Sequence, residues 1–103
     1  MAELIPFLVD VDAETQGFRP GKHCHCDCAA PAAVGGVLPV APFGRPTDVV
    51  AWYRFRSRTG LPVVIDAAAG FDTITLGAAP TVISLHATKV FGVGEGGFVM
   101  KHG

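Results

Sequence analysis

Two periods of apolar residues alternate along this chain, and the changes between them mark its elements. Val37 to Ala41, Leu61 to Ile65 and Thr81 to Leu85 are short, nearly unbroken apolar runs rich in valine and isoleucine, the pattern of strands buried on both faces. Leu4 to Val11 also reads as a strand, with Pro6 marking its beginning or an edge. Between these runs the period lengthens. Phe43-Gly44-Arg45-Pro46 turns the chain, and Thr47 or Asp48 is placed to cap a helix running to about Thr59. Val49, Trp52, Tyr53 and Phe55 give that helix an apolar side, Arg54 and Arg58 lie one turn apart on another, and Gly60 stops it. Thr15 to Pro31 has no dependable period and reads as loop, whereas a further strand begins at Phe98 to Met100. Apolar strands joined by such a helix predict an α/β fold with a mostly parallel sheet.

Two of these strands end in chemistry. The Leu61 to Ile65 run delivers Asp66, and the Thr81 to Leu85 run delivers Ser84, His86 and Lys89. A carboxylate emerging from a Val-Val-Ile strand must meet a cation or a strong donor, because an unpaired charge in such surroundings costs several kcal/mol. A pyridinium nitrogen is one such donor. Lys89, followed by the turn of Gly92, Gly94, Gly96 and Gly97, is placed to capture an aldehyde through its amine, given desolvation or a nearby positive group to activate it. The glycine turn lacks the Lys-Ser/Thr ending of a nucleotide-binding loop and does not follow the dinucleotide pattern. His86 can equally be a packed strand-end histidine.

Taken together, Asp66-Ala67-Ala68, Ser84-Leu85-His86-Ala87-Thr88-Lys89 and Gly94-Glu95-Gly96-Gly97 resemble the DegT/DnrJ/EryC1/StrS family of sugar aminotransferases. Val9-Asp10-Val11-Asp12 and the Leu38 to Pro46 segment are similar to that family's strand and strand-turn segments, in the same order. The resemblance implies the pyridoxal 5'-phosphate-dependent transferase fold of the aspartate aminotransferase type, fold type I. In that frame residues 1–103 are an internal fragment of the cofactor-binding large domain, without the C-terminal small domain. It also implies roles. Lys89 matches the lysine that links covalently to the cofactor, and Asp66 the acid that pairs with its ring nitrogen. Ser84 matches the hydroxyl that binds its phosphate, Ala68 a small residue packing on the ring, and His86 lies beside them. Many members carry Gln or His three residues after the acid, to bond the ring oxygen; here that place is Ala69.

The activity so implied is transfer of an amino group from an amino acid, glutamate by resemblance, to a nucleotide-linked keto sugar. The full-length protein is expected to be a homodimer, and the fragment alone inactive. A second reading keeps the fold but gives it a sugar dehydratase, regulatory or structural role; retention of Lys89 speaks against the dehydratase branch, which typically has histidine there.

Composition removes other classes. Eight Lys plus Arg against nine Asp plus Glu leave a formal charge of -1, so no field draws the chain to nucleic acid or an anionic bilayer. The arginines at 54, 56 and 58 read as a solvated helix face. The uncharged stretch from Ala29 to Gly44 is interrupted by Pro31, Pro39 and Pro42 and is too short for a membrane span. No secretory signal pattern opens the chain, so the cytoplasm is the expected location. One competing signal remains: His23-Cys24-His25-Cys26-Asp27-Cys28 gathers soft and borderline metal ligands. Its spacing lacks the usual paired Cys-x2-4-Cys arrangement, so exposed thiols are expected and no metal site, the alternative being a non-enzymatic metal-binding module. Asp10 and Asp12 have no partner histidines for a metal pair.

Overall fold

The structure, a computed structural model, describes residues 3–20, 33–73, 75, 77–86, 88–89, 92 and 94–101. The helix α1, Val49–Thr59, forms where its signals predict. Asp48 accepts a hydrogen bond from Ala51 N–H at 2.9 Å, satisfying one of the free donors of the first turn. At the other end Gly60 adopts φ 72, with its N–H bonded to the Arg56 carbonyl at 2.8 Å. Arg56 and Arg58 in the last turn complement the helix dipole. Trp52 and Phe55 are buried and meet edge-on, ring centroids 5.4 Å apart, while Phe18 reaches Trp52 from the preceding loop at 5.1 Å. Tyr53, expected on the apolar side, is 54% exposed. It lies about 100° around the helix from Trp52, beyond the stripe that touches the sheet.

Three strands follow: β1 (Ile65–Asp66), β2 (Thr81–Ser84) and β3 (Gly97–Met100), in the order β1-β2-β3. β1 and β2 are parallel, Ile65 level with Thr81 and Asp66 with Val82. On the other side of β1 the 37–41 segment adds parallel bridges, Val37 to Val63 and Val40 to Asp66. It does not become a full strand because buried Pro39 has no N–H to give, although its carbonyl accepts from Asp66 N–H at 2.9 Å. β3 closes the row antiparallel to β2, with Ser84 level with Gly97. Two of the three pairings are therefore parallel.

Burial differs from the sequence expectation. Leu61, Val63, Ile65 and Ala67 are buried in one cluster with Trp52 and Phe55. The intervening Val64, Asp66 and Ala68 are only half-buried, and β2 alternates in the same way. A single helix covers a single face, so among the described residues the other face carries no second layer. Leu4 to Val11 also departs from expectation: it forms no strand, and Leu4, Ile5, Phe7 and Leu8 are 71–94% exposed. Apolar composition does not make a strand without a partner ladder, and these residues have none among those described.

Candidate functional site

Asp66 stands where β1 leaves the sheet. Ile65 and Ala67 on either side of it pack into the α1 cluster, so its side chain projects from the opposite face. Its main chain is tied to the 37–41 segment, Ala41 N–H donating to the Asp66 carbonyl at 2.8 Å, while Ala67 N–H crosses to Val82 on β2 at 2.9 Å. Asp66 is thus fixed from both neighbours. The carboxylate Oδ1 accepts from Ala68 N–H at 3.0 Å, a local turn that orients the head and starts the Ala67–Gly70 bend. The second oxygen takes no hydrogen bond among the described residues.

The register brings the other expected groups to the same edge. Val82 is level with Asp66, so Ser84, two residues on, shares the face of Asp66 one step further along. The Ser84 hydroxyl oxygen accepts from His86 N–H at 3.2 Å, which leaves its proton available to a ligand oxygen. His86 is exposed and bridges to Gly94 in the glycine turn, whose Gly96 carbonyl accepts from Leu85 N–H at 2.8 Å. A tight turn follows, closed by Lys89 N–H on the His86 carbonyl at 2.8 Å, and it leaves Lys89 half-buried. Asp66, Ala68, Ser84, His86 and Lys89 therefore leave two adjacent parallel strands at their C-terminal ends, where ligands bind in open α/β sheets.

A second turn braces this edge. Pro42–Gly44 forms one turn of 3-10 helix in which Phe43, 82% exposed, holds φ 54. The Thr73 hydroxyl donates to the Gly44 carbonyl at 2.6 Å, pressing Gly44 against Ala69 and so supporting the bend after Asp66. Sequence reasoning did not single out Thr73 or Thr88. Thr88 lies within the Ser84 to Lys89 segment, where its hydroxyl meets His86 Nδ1 at 2.9 Å, a local contact that a His-x-Thr spacing permits.

Other candidates resolve differently. A cavity of about 410 Å³, lined by Phe18, Arg19, Arg45, Thr47 and Trp52 among others, lies between the 15–20 loop and the start of α1 and contains none of the site residues. Its Arg45 guanidinium turns to the carbonyls of Glu14 and Thr15, 3.4 Å each, so it stitches the loop to the turn. Buried Asp12 receives Glu14 N–H, Thr15 N–H and the Thr15 hydroxyl on Oδ1 at 3.0–3.2 Å, a loop-forming role, whereas Asp10 is exposed. Among the described residues no cluster of three or more His, Cys, Asp or Glu could hold a metal, and no helix is long and apolar enough to cross a membrane. The His23 to Cys28 cluster lies outside the described residues.

Comparison with known proteins gives a consistent answer. Protein Mb3436c of Mycobacterium bovis is 35% identical over 106 residues, covering 93% of this chain and 25% of that protein. A solved structure described as a PLP-dependent aminotransferase from Bacillus cereus ATCC 10987 is 36% identical, with TM-score 0.59 over 67% of this chain and 20% of its own. The structure of 3-amino-5-hydroxybenzoic acid synthase is 29% identical, with TM-score 0.66 over 90% of this chain and 25% of its own. The chain thus spans about a quarter of the length of such relatives. Its fold is part of the fold type I architecture of pyridoxal 5'-phosphate-dependent aminotransferases, and that cofactor is the one implied. The family model for the DegT/DnrJ/EryC1/StrS aminotransferases matches residues 2–102, and the chain belongs to that family.

Proposed function

We propose that the protein containing this chain is a transaminase that moves an amino group from an amino acid, glutamate by family resemblance, to a nucleotide-linked keto sugar. The observation that carries the reading is the register of β1 and β2, which sets Asp66 and Ser84 on one face at one edge, with the Lys89 turn next in the chain. The donor set suits the cofactor. Asp66 keeps a free acceptor oxygen for a ring N–H, Ser84 keeps a hydroxyl proton for a phosphate oxygen, and Ala68 offers a small surface beside a flat ring.

When bound, pyridoxal 5'-phosphate supplies an aldehyde to carry the nitrogen and a ring that accepts the electron pair released from the substrate carbon. The chain's residues do the rest. Asp66 holds the ring nitrogen's proton in place through a charge-assisted hydrogen bond. Ser84 donates to the phosphate and fixes the register of the bound group. Lys89 would hold the cofactor through its Nζ and, as a free amine, would carry the proton taken from the donor's α-carbon.

The chain's share of its relatives' length supports a further part of the proposal, that residues 1–103 are an internal portion of the cofactor-binding large domain; by family resemblance the longer protein works as a homodimer, and its proposed location is the cytoplasm. On its own this portion has little or no transfer activity, because catalysis needs these groups held to within about 0.5 Å and, among the described residues, nothing layers over the sheet face around Asp66. Borohydride reduction after incubation of the longer protein with pyridoxal 5'-phosphate, followed by peptide mapping, should find the pyridoxyl group on Lys89. A modified lysine elsewhere, or none in a cofactor-loaded protein, refutes the assignment. Amino transfer by the 103-residue chain, compared with Lys89→Ala and with the longer protein, tests the second part: lysine-dependent multiple turnover by the short chain refutes it.

Ala69 favours one other reading, in which the site has diverged toward a regulatory or structural role, since its methyl group cannot donate to a ring oxygen. Absorbance distinguishes the two. A cofactor band that shifts on addition of an amino acid supports transamination, and an unchanging band supports the diverged role.

A further inference from the structure

We propose that Thr88 is a positioning residue that holds His86 as the neutral Nε2–H tautomer, so that its ring offers one fixed donor to an anionic oxygen of a ligand at these strand ends. The inference rests on the functional reading above for the identity of that ligand, but not for the tautomer. His86 Nδ1 lies 2.9 Å from Thr88 Oγ1 and 3.3 Å from Thr88 N. A backbone N–H can only donate, so Nδ1 must present a lone pair, and in a neutral imidazole the proton is then on Nε2. The Thr88 hydroxyl can follow either tautomer. With Nδ1 an acceptor it donates as well, and it stops the ring from rotating away.

The backbone beneath the ring is held on both sides. His86 N–H donates to the Ser84 hydroxyl oxygen, its carbonyl accepts from Lys89 N–H, and the residue bridges to Gly94. The ring is therefore mounted on a closed turn between the hydroxyl and the amine assigned to the cofactor. It is exposed, and among the described residues nothing accepts from Nε2. Ala69 leaves a ligand oxygen without the side-chain donor expected three residues after Asp66, and a fixed Nε2–H is a group of the right kind to replace it. Both a phenolate oxygen and a phosphate oxygen are accepted by this chemistry.

The first measurement is the long-range imidazole nitrogen–proton spectrum of the 15N-labelled 103-residue chain, recorded above the titration of free imidazole, with the His86 signal assigned by its loss in His86→Gln. The wild-type chain should show the Nε2-protonated form. Thr88→Pro, which removes the N–H that fixes the tautomer, should move the ratio about fivefold toward that of free histidine, the effect of losing one net hydrogen bond, whereas Thr88→Val keeps that N–H and should keep the Nε2–H form. A dominant Nδ1–H form in the wild type or in Thr88→Val, or a folded Thr88→Pro with an unchanged ratio, overturns the proposal.

The second measurement adds pyridoxal 5'-phosphate, fixes it with borohydride and maps the adduct among Lys22, Lys89 and Lys101, the chain's three lysines. With the adduct on Lys89, the His86 Nε2–H signal should shift in the wild type and less in Thr88→Val. Pyridoxal without phosphate and inorganic phosphate alone, run separately, tell a phenolate contact from a phosphate contact. An unmoved His86 signal in the Lys89 adduct overturns the donor role. Labelling elsewhere, or none, when the longer protein is treated in the same way counts against the functional reading, and the tautomer ratio then still decides the role of Thr88.

Discussion

Replacing Gly44 with alanine should cost more stability than the same change at Gly60, although the two residues have nearly the same φ. Gly44 lies at φ 71 and Gly60 at φ 72, so a methyl group at either position meets the left-handed penalty of about 1–2 kcal/mol. Their surroundings differ. A Cβ on Gly60 would have nothing within 4 Å, whereas one on Gly44 would lie 2.9 Å from the Ala69 carbonyl oxygen. That oxygen cannot simply retreat. The Ala67–Gly70 bend is closed by Gly70 N–H on the Ala67 carbonyl at 2.9 Å, and Thr73 bonds the Gly44 carbonyl at 2.6 Å, so both sides of the contact are tied. Forcing a methyl into a packed contact costs about 1–3 kcal/mol. Gly60→Ala should therefore lose about 1–2 kcal/mol and Gly44→Ala about 2–5 kcal/mol. Urea unfolding in dilute solution, with matched slopes, reads both losses. The Ala68 amide, which bonds Asp66 in the adjoining bend, should also exchange its hydrogen faster in Gly44→Ala alone. Equal losses, or a larger one at Gly60, would refute the idea that this turn braces the bend after Asp66.

Trp52→Ala should lose about 3–5 kcal/mol, because it removes a fully buried ring that touches both Phe18 and Phe55, and urea midpoints measure it. Asp48→Ala should cost about 1 kcal/mol and speed amide exchange in the first turn of α1; replacement by asparagine should recover most of the loss. For the His23 to Cys28 segment, dialysed protein should retain no equimolar zinc by elemental analysis, and a signal that Cys24→Ala abolishes would reverse that expectation.

Residues whose local chemistry decides their conformation were legible in the sequence. Asp48 caps α1 and Gly60 ends it because each satisfies the helix's own unpaired groups, independent of distant partners. The Thr81 to Leu85 run likewise declared β2 by composition, whereas the Leu61 to Ile65 run becomes strand only at its end, Ile65, with an isolated bridge at Val63. Features that depend on partners were not legible. Leu4 to Val11 has strand composition but no ladder to join, and Tyr53 is apolar enough for a core from which helix geometry turns it away. Pro39 reads as part of an apolar run until its missing N–H reduces a strand to two bridges. At the site, Asp66, Ser84 and Lys89 stood out because strand ends concentrate chemistry. The contribution of Thr73 did not, since its partner Gly44 is 29 residues away and only folding brings them together.

The alternation along β1 separates two kinds of selection. Residues 61, 63, 65 and 67 fill the cluster under α1, and the residues between them do not. A change at Asp66 or Ala68 therefore leaves that cluster intact, and a relative can alter its chemistry one position at a time without renegotiating its fold. The same separation gives inactive variants a diagnostic value. Loss of function at position 66 with an unchanged unfolding midpoint reports on chemistry, whereas at position 65 the two should fail together. Drift at a position such as Ala69, beside the acid but outside the core, is what such an arrangement permits.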